Sequence, residues 1–149
     1  MIDVDLFKRF NDTWGHLCGD ACLLHIANIC KKAVQRSGDT IARYSGEEFV
    51  LLLPSTHLAG AAIVAESIRK DIESTPFSWK NESIELTLSL GVASSMPDRT
   101  GSYEQLIQFA DEALYAAKDA GRNTVLVHQV DESGKSSIQP PPATPSPNK

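Results

Sequence analysis

The sequence predicts an α/β (α+β) sandwich, in which helices cover a central mixed sheet. Apolar residues recur at helical spacing in three stretches, and strand-like apolar runs lie between those stretches. A tight Ser45-Gly46 turn joins two of the strands. Helices that alternate with strands in this way indicate a layer of helices packed on a sheet. With 149 residues, 42% of them hydrophobic, the chain is the size of one domain with a single core.

The predicted elements follow from apolar spacing. The chain starts with a short apolar stub of a strand at 1–4. Three amphipathic helices are predicted from the apolar positions Leu23, Leu24, Ala27, Ile29 and Ala33; Ala61, Val64, Ala65, Ile68 and Ile72; and Leu106, Phe109, Ala110, Ala113, Leu114 and Ala117. The remaining predicted strands are 40–44, 49–53, 84–93 and 124–128.

The segment 131–149 differs in composition from the rest of the chain. It is rich in Pro and Ser and has one large aliphatic residue, Ile138. Such a composition buries too little apolar surface to order itself. We therefore predict one domain over 1–130, followed by a disordered tail.

Charge and composition exclude several classes of partner. The formal net charge is −5, with 14 basic and 19 acidic residues, which gives no reason to expect nucleic acid or an anionic membrane. Cys18, Cys22 and Cys30 form no C-x-x-C pair, so they are interpreted as buried or idle thiols in a reducing cytosol. No apolar run reaches the roughly 20 residues of a membrane span. The segment is predicted to be cytoplasmic, although a longer protein could be membrane-anchored through segments upstream.

Two aspartates lie at the end of the short predicted strand at the start of the sequence. Alternation along a strand would place Asp3 and Asp5 on one side, with Asp5 at the N-cap of a helix. The backbone N–H groups of Leu6, Phe7 and Lys8, with the Lys8 side chain nearby, would then be free to bind an anion. The simpler alternative is an aspartate that only caps the helix.

A second pair of acids lies in the predicted hairpin turn. Glu47 and Glu48 stand immediately before a fully apolar strand. Adjacent glutamates are often only a solvated turn. Here, at least one carboxylate is expected to lie along the sheet surface, where a charge is costly unless it is paired or bound to metal.

Six spaced blocks of the sequence resemble the GGDEF family of diguanylate cyclases, in the family's order and at its spacing. They are DVDLFKRFNDTWGH at 3–16, GD at 19–20, RYSGEEF at 43–49, SLGVA at 89–93, ADEALYAAK at 110–118 and GRN at 121–123. The resemblance implies a fold like the palm of nucleotidyl cyclases. It also implies an enzyme that condenses two GTP molecules into cyclic di-GMP, with release of pyrophosphate, by two-metal phosphoryl transfer in a homodimer.

The resemblance assigns metal ligands and catalytic side chains. It places Asp3, the carbonyl of Val4, Glu47 and Glu48 around two Mg²⁺ ions, with Mn²⁺ as an alternative. Such ions neutralise the triphosphate and activate the attacking 3′-hydroxyl. Glu47 and Lys8 are the candidate catalytic residues, and Glu47 would help to deprotonate that hydroxyl.

The same resemblance implies a substrate site. The amides of Leu6, Phe7 and Lys8 would hold the β- and γ-phosphates, with Lys118 closing on them from the last helix and Arg122 from the loop after it. At a spacing of i, i+4, this last pair is expected to share a helix face. Asn11 and Asp20 match the pair of residues that reads guanine in the family. A carboxylate can accept both N1–H and the exocyclic amine of guanine, which favours GTP over ATP.

An R-x-x-D string precedes the turn. Arg36 and Asp39 resemble the family's inhibitory product site, where cyclic di-GMP would bind and slow the enzyme. The alternative is a surface loop between a helix and a strand. Ser67 stands where some relatives place an additional arginine, so inhibition is expected to be weaker here.

The sequence also departs from the family. Ser45 replaces a glycine of the signature turn, and its Cβ would be strained if that position requires a positive φ. The helix and the part of the first strand that precede Met1 in the family, and its sensory domain, are not in the sequence. The chain alone is therefore expected to be less stable and less active than an extended version. The alternative function is an inactive GGDEF-like module that binds cyclic di-GMP or GTP as a receptor.

Overall fold

The structure is a computed structural model that describes residues 1–34, 36–95, 102–131 and 133–142. Within these ranges, helices and strands alternate along most of the chain. In chain order the elements are β1 Ile2–Val4, α1 Phe7–Trp14, α2 His16–Ala33, β2 Thr40–Ser45, β3 Glu48–Leu52, α3 Leu58–Ser74, β4 Phe77–Trp79, β5 Glu82–Ile84, β6 Leu88–Ala93, α4 Tyr103–Asp119, β7 Val125–Val130 and β8 Ser136–Gln139.

The main sheet has six strands in the order β2-β3-β1-β6-β7-β8. The β6–β7 pair is parallel, and the other neighbours are antiparallel, so the sheet is mixed. The first strand of the chain lies in the middle of this sheet, between β3 and β6. The predicted fold class, an α+β fold with a mixed sheet and covering helices, is confirmed.

The core is formed where α3 and α4 pack on β6 and β7. Leu88 and Leu90 of β6 are almost fully buried, as are Ile68 of α3 and Leu114 of α4. Burying each such side chain stabilises the fold by about 1.5–3 kcal/mol. Helix α2 packs on both α3 and α1. Helix α1 therefore lies at the end of the sheet where the acidic residues cluster.

One predicted strand is divided in the structure. The predicted run 84–93 contains the end of β5 and the whole of β6, and β5 pairs with β4 in a separate hairpin. Lys80 and Asn81 connect these two strands with φ of 46° and 70°. Positive φ at both central residues is typical of a tight hairpin turn, and Asn is among the residues that favour it. The short β4 lacks clear alternation, so the sequence pattern did not reveal this hairpin.

Part of the predicted disordered tail forms a strand. β8 pairs antiparallel with β7, with Ile138 opposite His128. The Asp131 carboxylate fixes the connection, because it accepts hydrogen bonds from the Ser133 N–H at 2.9 Å and the Lys135 N–H at 2.9 Å. A local side-chain acceptor and an available sheet edge order four residues that composition alone would leave disordered. The predicted tail beyond 142 lies outside the described residues.

Helices long and apolar enough to span a membrane are not found in the described part of the chain. All three cysteines are buried and free.

Candidate active site

Two carboxylates face each other across neighbouring central strands. Asp3 on β1 lies opposite Glu48 on β3 and opposite Ser89 on β6. Asp3 is only 6% exposed, and Glu47 and Glu48 are half-buried beside it. Burial, more than any other cause, raises the pKa of Asp3, and a nearby Glu47 raises it further. Burial and then Asp3 raise the pKa of Glu48. The acids therefore repel one another and favour a cation among them.

Lys118 is the cation that contacts this group. Its Nζ lies 2.7 Å from Oδ2 of Asp3, and its side chain is 31% exposed. The lysine comes from the last turn of α4. This pairing opposes the effect of burial on the pKa of Asp3.

The donor set of this corner suits a hard divalent cation, because Asp3, Glu47 and Glu48 offer carboxylate oxygens. Val4 follows Asp3 on the buried strand, opposite Leu88. Across the described residues, no three Asp, Glu, His or Cys side chains converge into a ready-made cluster of ligands. The acids are close enough to shift one another's pKa without sharing one position for an ion. The chemistry of the predicted ligands fits a metal, and their side chains would have to close around it.

Asp5 does not cap the helix, so this part of the sequence prediction was wrong. β1 ends at Val4, and Leu6 takes the N-cap position with a left-handed φ of 56°. The Asp5 carboxylate instead accepts hydrogen bonds from Thr87 Oγ1 at 2.8 Å and Ser89 Oγ at 2.6 Å. Ser89 is also the cross-strand partner of Asp3, so the two aspartates lie on one side of the sheet, as expected from alternation. The left-handed turn at Leu6 separates Asp5 only from the helix.

The first turn of α1 offers unpaired donors. Phe10 N donates to the Leu6 carbonyl at 3.0 Å, and this is the first helical hydrogen bond. The amides of Phe7, Lys8 and Arg9 therefore have no acceptor within their helix. No side chain among the described residues caps this end. Two of the three predicted amides, Phe7 and Lys8, thus lie at a helix N-terminus suited to an anion.

An open pocket of about 390 Å³ lies between α1, α2 and the β2–β3 turn. It brings together five predicted site residues: Phe7, Lys8, Asn11, Asp20 and Glu47. Asn11 Oδ1 is buried and has no hydrogen-bond partner in the described structure. A buried acceptor without a partner is destabilising, and a ligand that donates a hydrogen bond to this oxygen would remove that cost.

The pocket includes residues that the sequence reasoning did not single out: Asp12, His16 and Arg43. His16 and Asp20 lie at i and i+4 on α2, which places them on one helix face, and this spacing could have revealed His16. The Nε of Arg43 donates to the Gly46 carbonyl at 2.7 Å and braces the turn beside the pocket. No local pattern predicts that contact.

Two glycines shape the surroundings of the pocket. A Cβ on Gly19 would lie 1.9 Å from Asn11 Oδ1, so α1 and α2 approach this closely only because a glycine stands there. In the signature turn, Gly46 has a φ of 45°, whereas Ser45 is absent from the positive-φ residues of the described chain. The expected strain at Ser45 therefore does not arise.

Lys118 and Arg122 do not share a helix face, contrary to expectation. α4 ends at Asp119, and Arg122 lies in the following loop with a φ of 68°. Lys118 contacts Asp3, while Arg122 is exposed. The i, i+4 relation applies only within a continuous helix, and this helix ends between the two residues.

Arg36 and Asp39 occupy one turn between α2 and β2. The Asp39 N–H donates to the Arg36 carbonyl at 3.1 Å. β2 separates this turn from Gly46, and six residues of strand span about 20 Å. Ser67 lines another pocket, of about 480 Å³, with Lys32 of α2.

Comparison with known proteins places the chain in a family. The model of the family described as "Diguanylate cyclase, GGDEF domain" matches residues 1–124. The chain is 44% identical to diguanylate cyclase A of Treponema denticola over 84% of this chain and 33% of that protein. It is 45% identical to diguanylate cyclase DosC of Escherichia coli (strain K12) over 84% of this chain and 27% of that protein. The chain thus spans a third or less of these relatives.

Solved structures give the same result. The GGDEF domain of DgcB from Caulobacter crescentus, in complex with c-di-GMP, superposes with a TM-score of 0.79 at 36% identity, covering 85% of this chain and 74% of that one. The active GGEEF domain of a diguanylate cyclase from Vibrio cholerae gives a TM-score of 0.78 at 33% identity, covering 87% of this chain and 81% of that one. Both the family match and the shared fold agree with the expectation from the six motif blocks. This chain belongs to the GGDEF domain family of diguanylate cyclases.

Proposed function

We propose that this chain is a catalytic domain that condenses two GTP molecules into cyclic di-GMP. The observation that carries the proposal is the opposition of Asp3 and Glu48 on adjacent central strands, beside the open N-terminus of α1. Carboxylates that attract a divalent cation and amides that attract a phosphate thereby lie at the same end of the central strands. The family's named cyclases support the same activity.

The pocket residues divide the binding of GTP among them. Asn11 and Asp20 would bind the edge of guanine, since the carboxylate can accept both N1–H and the exocyclic amine. The first-turn amides of α1, with Lys8, would hold the β- and γ-phosphates. Lys118 and Arg122 would neutralise the charge that remains on the triphosphate.

The carboxylates serve the metal and the nucleophile. Asp3, the Val4 carbonyl, Glu47 and Glu48 would hold two Mg²⁺, or Mn²⁺, ions. When bound, these ions would neutralise the triphosphate and lower the pKa of the 3′-hydroxyl. Glu47 would take the proton of that hydroxyl, whose oxygen then attacks the α-phosphorus of a second GTP as the bond to pyrophosphate breaks.

A homodimer follows from the stoichiometry. One pocket holds one GTP, so two copies related by a two-fold axis would bring both 3′-hydroxyls to the facing α-phosphates. Cyclic di-GMP would also bind the turn of Arg36 and Asp39 and inhibit the reaction. GTP and this product are the proposed small-molecule partners, in the cytoplasm.

The proposal is tested by incubating the chain with GTP and Mg²⁺ and quantifying both products. We expect one cyclic di-GMP for every two pyrophosphates. Glu47→Gln should lower the rate by about 100-fold or more, because it removes a base and a ligand charge. The matched control is Glu82→Gln, the same substitution at an exposed position of β5, which should leave the rate unchanged.

The outcomes separate the two functions that the sequence leaves open. Binding of GTP or cyclic di-GMP without pyrophosphate release from the parent chain would identify a receptor rather than an enzyme. Equal product formation by Glu47→Gln and the parent would remove Glu47 from the mechanism. Melting temperatures of both variants establish that any loss of rate is not a loss of fold.

A further inference from the structure

We propose that Arg69 of α3 and Asn123 are positioning residues, which hold the loop of Arg122 in the conformation that binds the triphosphate of GTP. The inference rests on the proposed function and extends it to residues that do not line the pocket. Arg69 lies in the C-terminal half of α3, a helix that packs on the sheet. It reaches the loop after α4 across 54 positions of sequence.

The loop that carries Arg122 has an unfavourable backbone. Arg122 and Asn123 are consecutive non-glycine residues with positive φ, of 68° and 46°. Left-handed conformations are sparsely populated by residues with a Cβ. They persist only where surrounding contacts hold them, and they cluster at functional sites. The conformation of this loop therefore needs a source of restraint.

Arg69 and its acidic partners supply that restraint from one side. Arg69 Nη1 donates to Asn123 Oδ1 at 2.7 Å, and Asn123 Nδ2 donates to Glu73 Oε1 at 2.7 Å. The same guanidinium binds Glu66 with two hydrogen bonds, of 3.0 and 2.9 Å, and Glu73 at 2.9 Å. The Asn123 amide is thus held through both its oxygen and its nitrogen.

The hydrogen bond from Arg69 to Asn123 is made by a buried side chain that is held in one orientation. The Arg69 side chain is only 11% exposed, and its hydrogen bonds with Glu66 are the main cause of its raised pKa. Glutamates of the same helix already hold the Arg69 guanidinium, so it loses little further conformational freedom when it binds Asn123. The asparagine therefore binds to a rigid part of the molecule.

Asp5 restrains the same loop from the other side. Its Oδ2 accepts a hydrogen bond from the backbone N–H of Asn123 at 3.0 Å, across 118 positions. Asp5 also binds Thr87 and Ser89 of the β6 region, and it directly precedes the turn that opens α1. Asn123 consequently joins the loop of Arg122 to the element whose amides face the phosphates. One residue sets the spacing between two phosphate-binding groups.

The test measures affinity, so it does not depend on turnover. Arg69→Met keeps much of the side-chain volume and removes the guanidinium. Asn123→Gly removes the amide but accepts positive φ without strain, so this variant keeps the fold even if Arg69→Met does not. The matched control is Lys70→Met, which removes a cation from the same helix; its Nζ lies 3.6 Å from Glu66 and its side chain is 66% exposed.

Calorimetric titrations with a non-hydrolysable GTP analogue and with GMP distinguish positioning from general stability. Arg69→Met and Asn123→Gly should each weaken binding of the analogue by about 10-fold, the loss expected for one charge-assisted hydrogen bond. Binding of GMP, which lacks the β- and γ-phosphates, should not change. Lys70→Met should bind both ligands as the parent does.

A double-mutant cycle with Arg122→Ala decides whether Arg69 acts through Arg122. Arg122→Ala alone should weaken the analogue, and adding Arg69→Met or Asn123→Gly to it should cause no further loss. Additive losses would overturn the inference, as would equal losses for GMP and the analogue. If Arg122→Ala binds the analogue as tightly as the parent does, Arg122 does not bind the triphosphate and the inference is wrong. If the cycle gives the expected affinities but the parent does not turn over GTP, only the proposed activity is contradicted.

Discussion

Asp20 is an exposed acid on the face of α2 that lines the pocket with Asn11. The two side chains differ in what they need. Asn11 Oδ1 is buried without a partner, whereas the carboxylate of Asp20 is solvated until a ligand displaces water. Under the proposed function, guanine would offer adjacent N–H donors to both kinds of acceptor. Specificity would then come from acceptors that remain unpaired with another base.

Asp20→Ala should reduce the preference for GTP over ITP, since ITP keeps N1–H and lacks the exocyclic amine. Losing a charged acceptor costs about 1.5–3 kcal/mol, or roughly 10- to 150-fold in Kd for GTP. ITP should lose less, because it makes one fewer hydrogen bond to the carboxylate in the parent. Competition binding with both nucleotides measures the ratio.

The control for this prediction is Glu82→Ala, which removes an exposed acid from β5, outside the pocket. It should leave the GTP-to-ITP ratio of the parent unchanged. If Asp20→Ala binds ITP and GTP with the parent's ratio, Asp20 does not read the exocyclic amine.

At the scale of elements, the position of α4 depends on Gly91 of β6. A Cβ there would lie 2.1 Å from the Ala110 carbonyl oxygen and 2.2 Å from the Leu114 amide nitrogen. These are backbone atoms, which cannot rotate away as a side chain can. The close approach of α4 to the sheet also places Lys118 beside Asp3, so core packing and site geometry are linked.

Gly91→Ala should therefore destabilise the protein by about 1–3 kcal/mol, the usual cost of overpacking a core. The opposite sign is expected for Gly60→Ala in α3. There the nearest atom to a new Cβ is the side-chain Thr56 Cγ2 at 3.1 Å, and alanine is a better helix former by about 0.5–1 kcal/mol.

Urea titrations of the two glycine variants measure the difference through the denaturant midpoint at a constant slope. A midpoint for Gly91→Ala equal to that of the parent would show that α4 can move away from β6 at no cost. Gly60→Ala indicates whether the glycine-to-alanine change alone has the expected sign in a helix.

The elements were predictable where the pattern was long. α2, α3 and α4 have regular apolar spacing, and the strands around the signature turn are short apolar runs. Periodicity failed at finer detail: Leu23 is buried but its neighbour Leu24 is 67% exposed. Successive helical residues point about 100° apart, and here that rotation turns Leu24 away from the core that Leu23 faces.

The site was predictable where its chemistry is local. Lys8, Asn11 and Asp20 meet in one pocket, as expected from their motif. Asp5 was misassigned because its partners lie on β6 and after α4, 82 or more positions away. A local capping rule cannot weigh such tertiary hydrogen bonds against a helix terminus. The same limit hid Arg69, whose partner Asn123 is remote in sequence.

At the scale of the whole molecule, three thiols report on the integrity of the core. Cys18, Cys22 and Cys30 are fully buried along α2. Burial is the main cause that raises the pKa of all three, to about 12 for Cys22 and Cys30. Since the thiolate is the reactive form, these cysteines are protected both by access and by protonation.

We expect the native protein to resist an aromatic disulfide reagent at pH 8 and all three thiols to react in concentrated urea. At that pH a thiol with a pKa of about 12 is ionised in roughly one molecule in 10⁴. The rate in the native state should follow global unfolding, because opening the core exposes the sulfurs. Absorbance of the released thiolate measures both rates. Rapid modification of the native protein without loss of structure would show that α2 opens locally.

The contacts of Asp5 also set the order in which the molecule can be assembled during synthesis. β1 is synthesised well before its β6 neighbour, since Asp5 binds Ser89 across 84 positions and Asn123 across 118. At about 5–20 residues per second, the ribosome needs roughly 6–24 seconds to add the residues between Asp5 and Asn123. Until then Asp5, which precedes the turn that opens α1, lacks its hydrogen bond from the Asn123 N–H. A nascent chain can form the β2–β3 hairpin early, but Asp5 can contact the loop of Asn123 only after α4 has been translated.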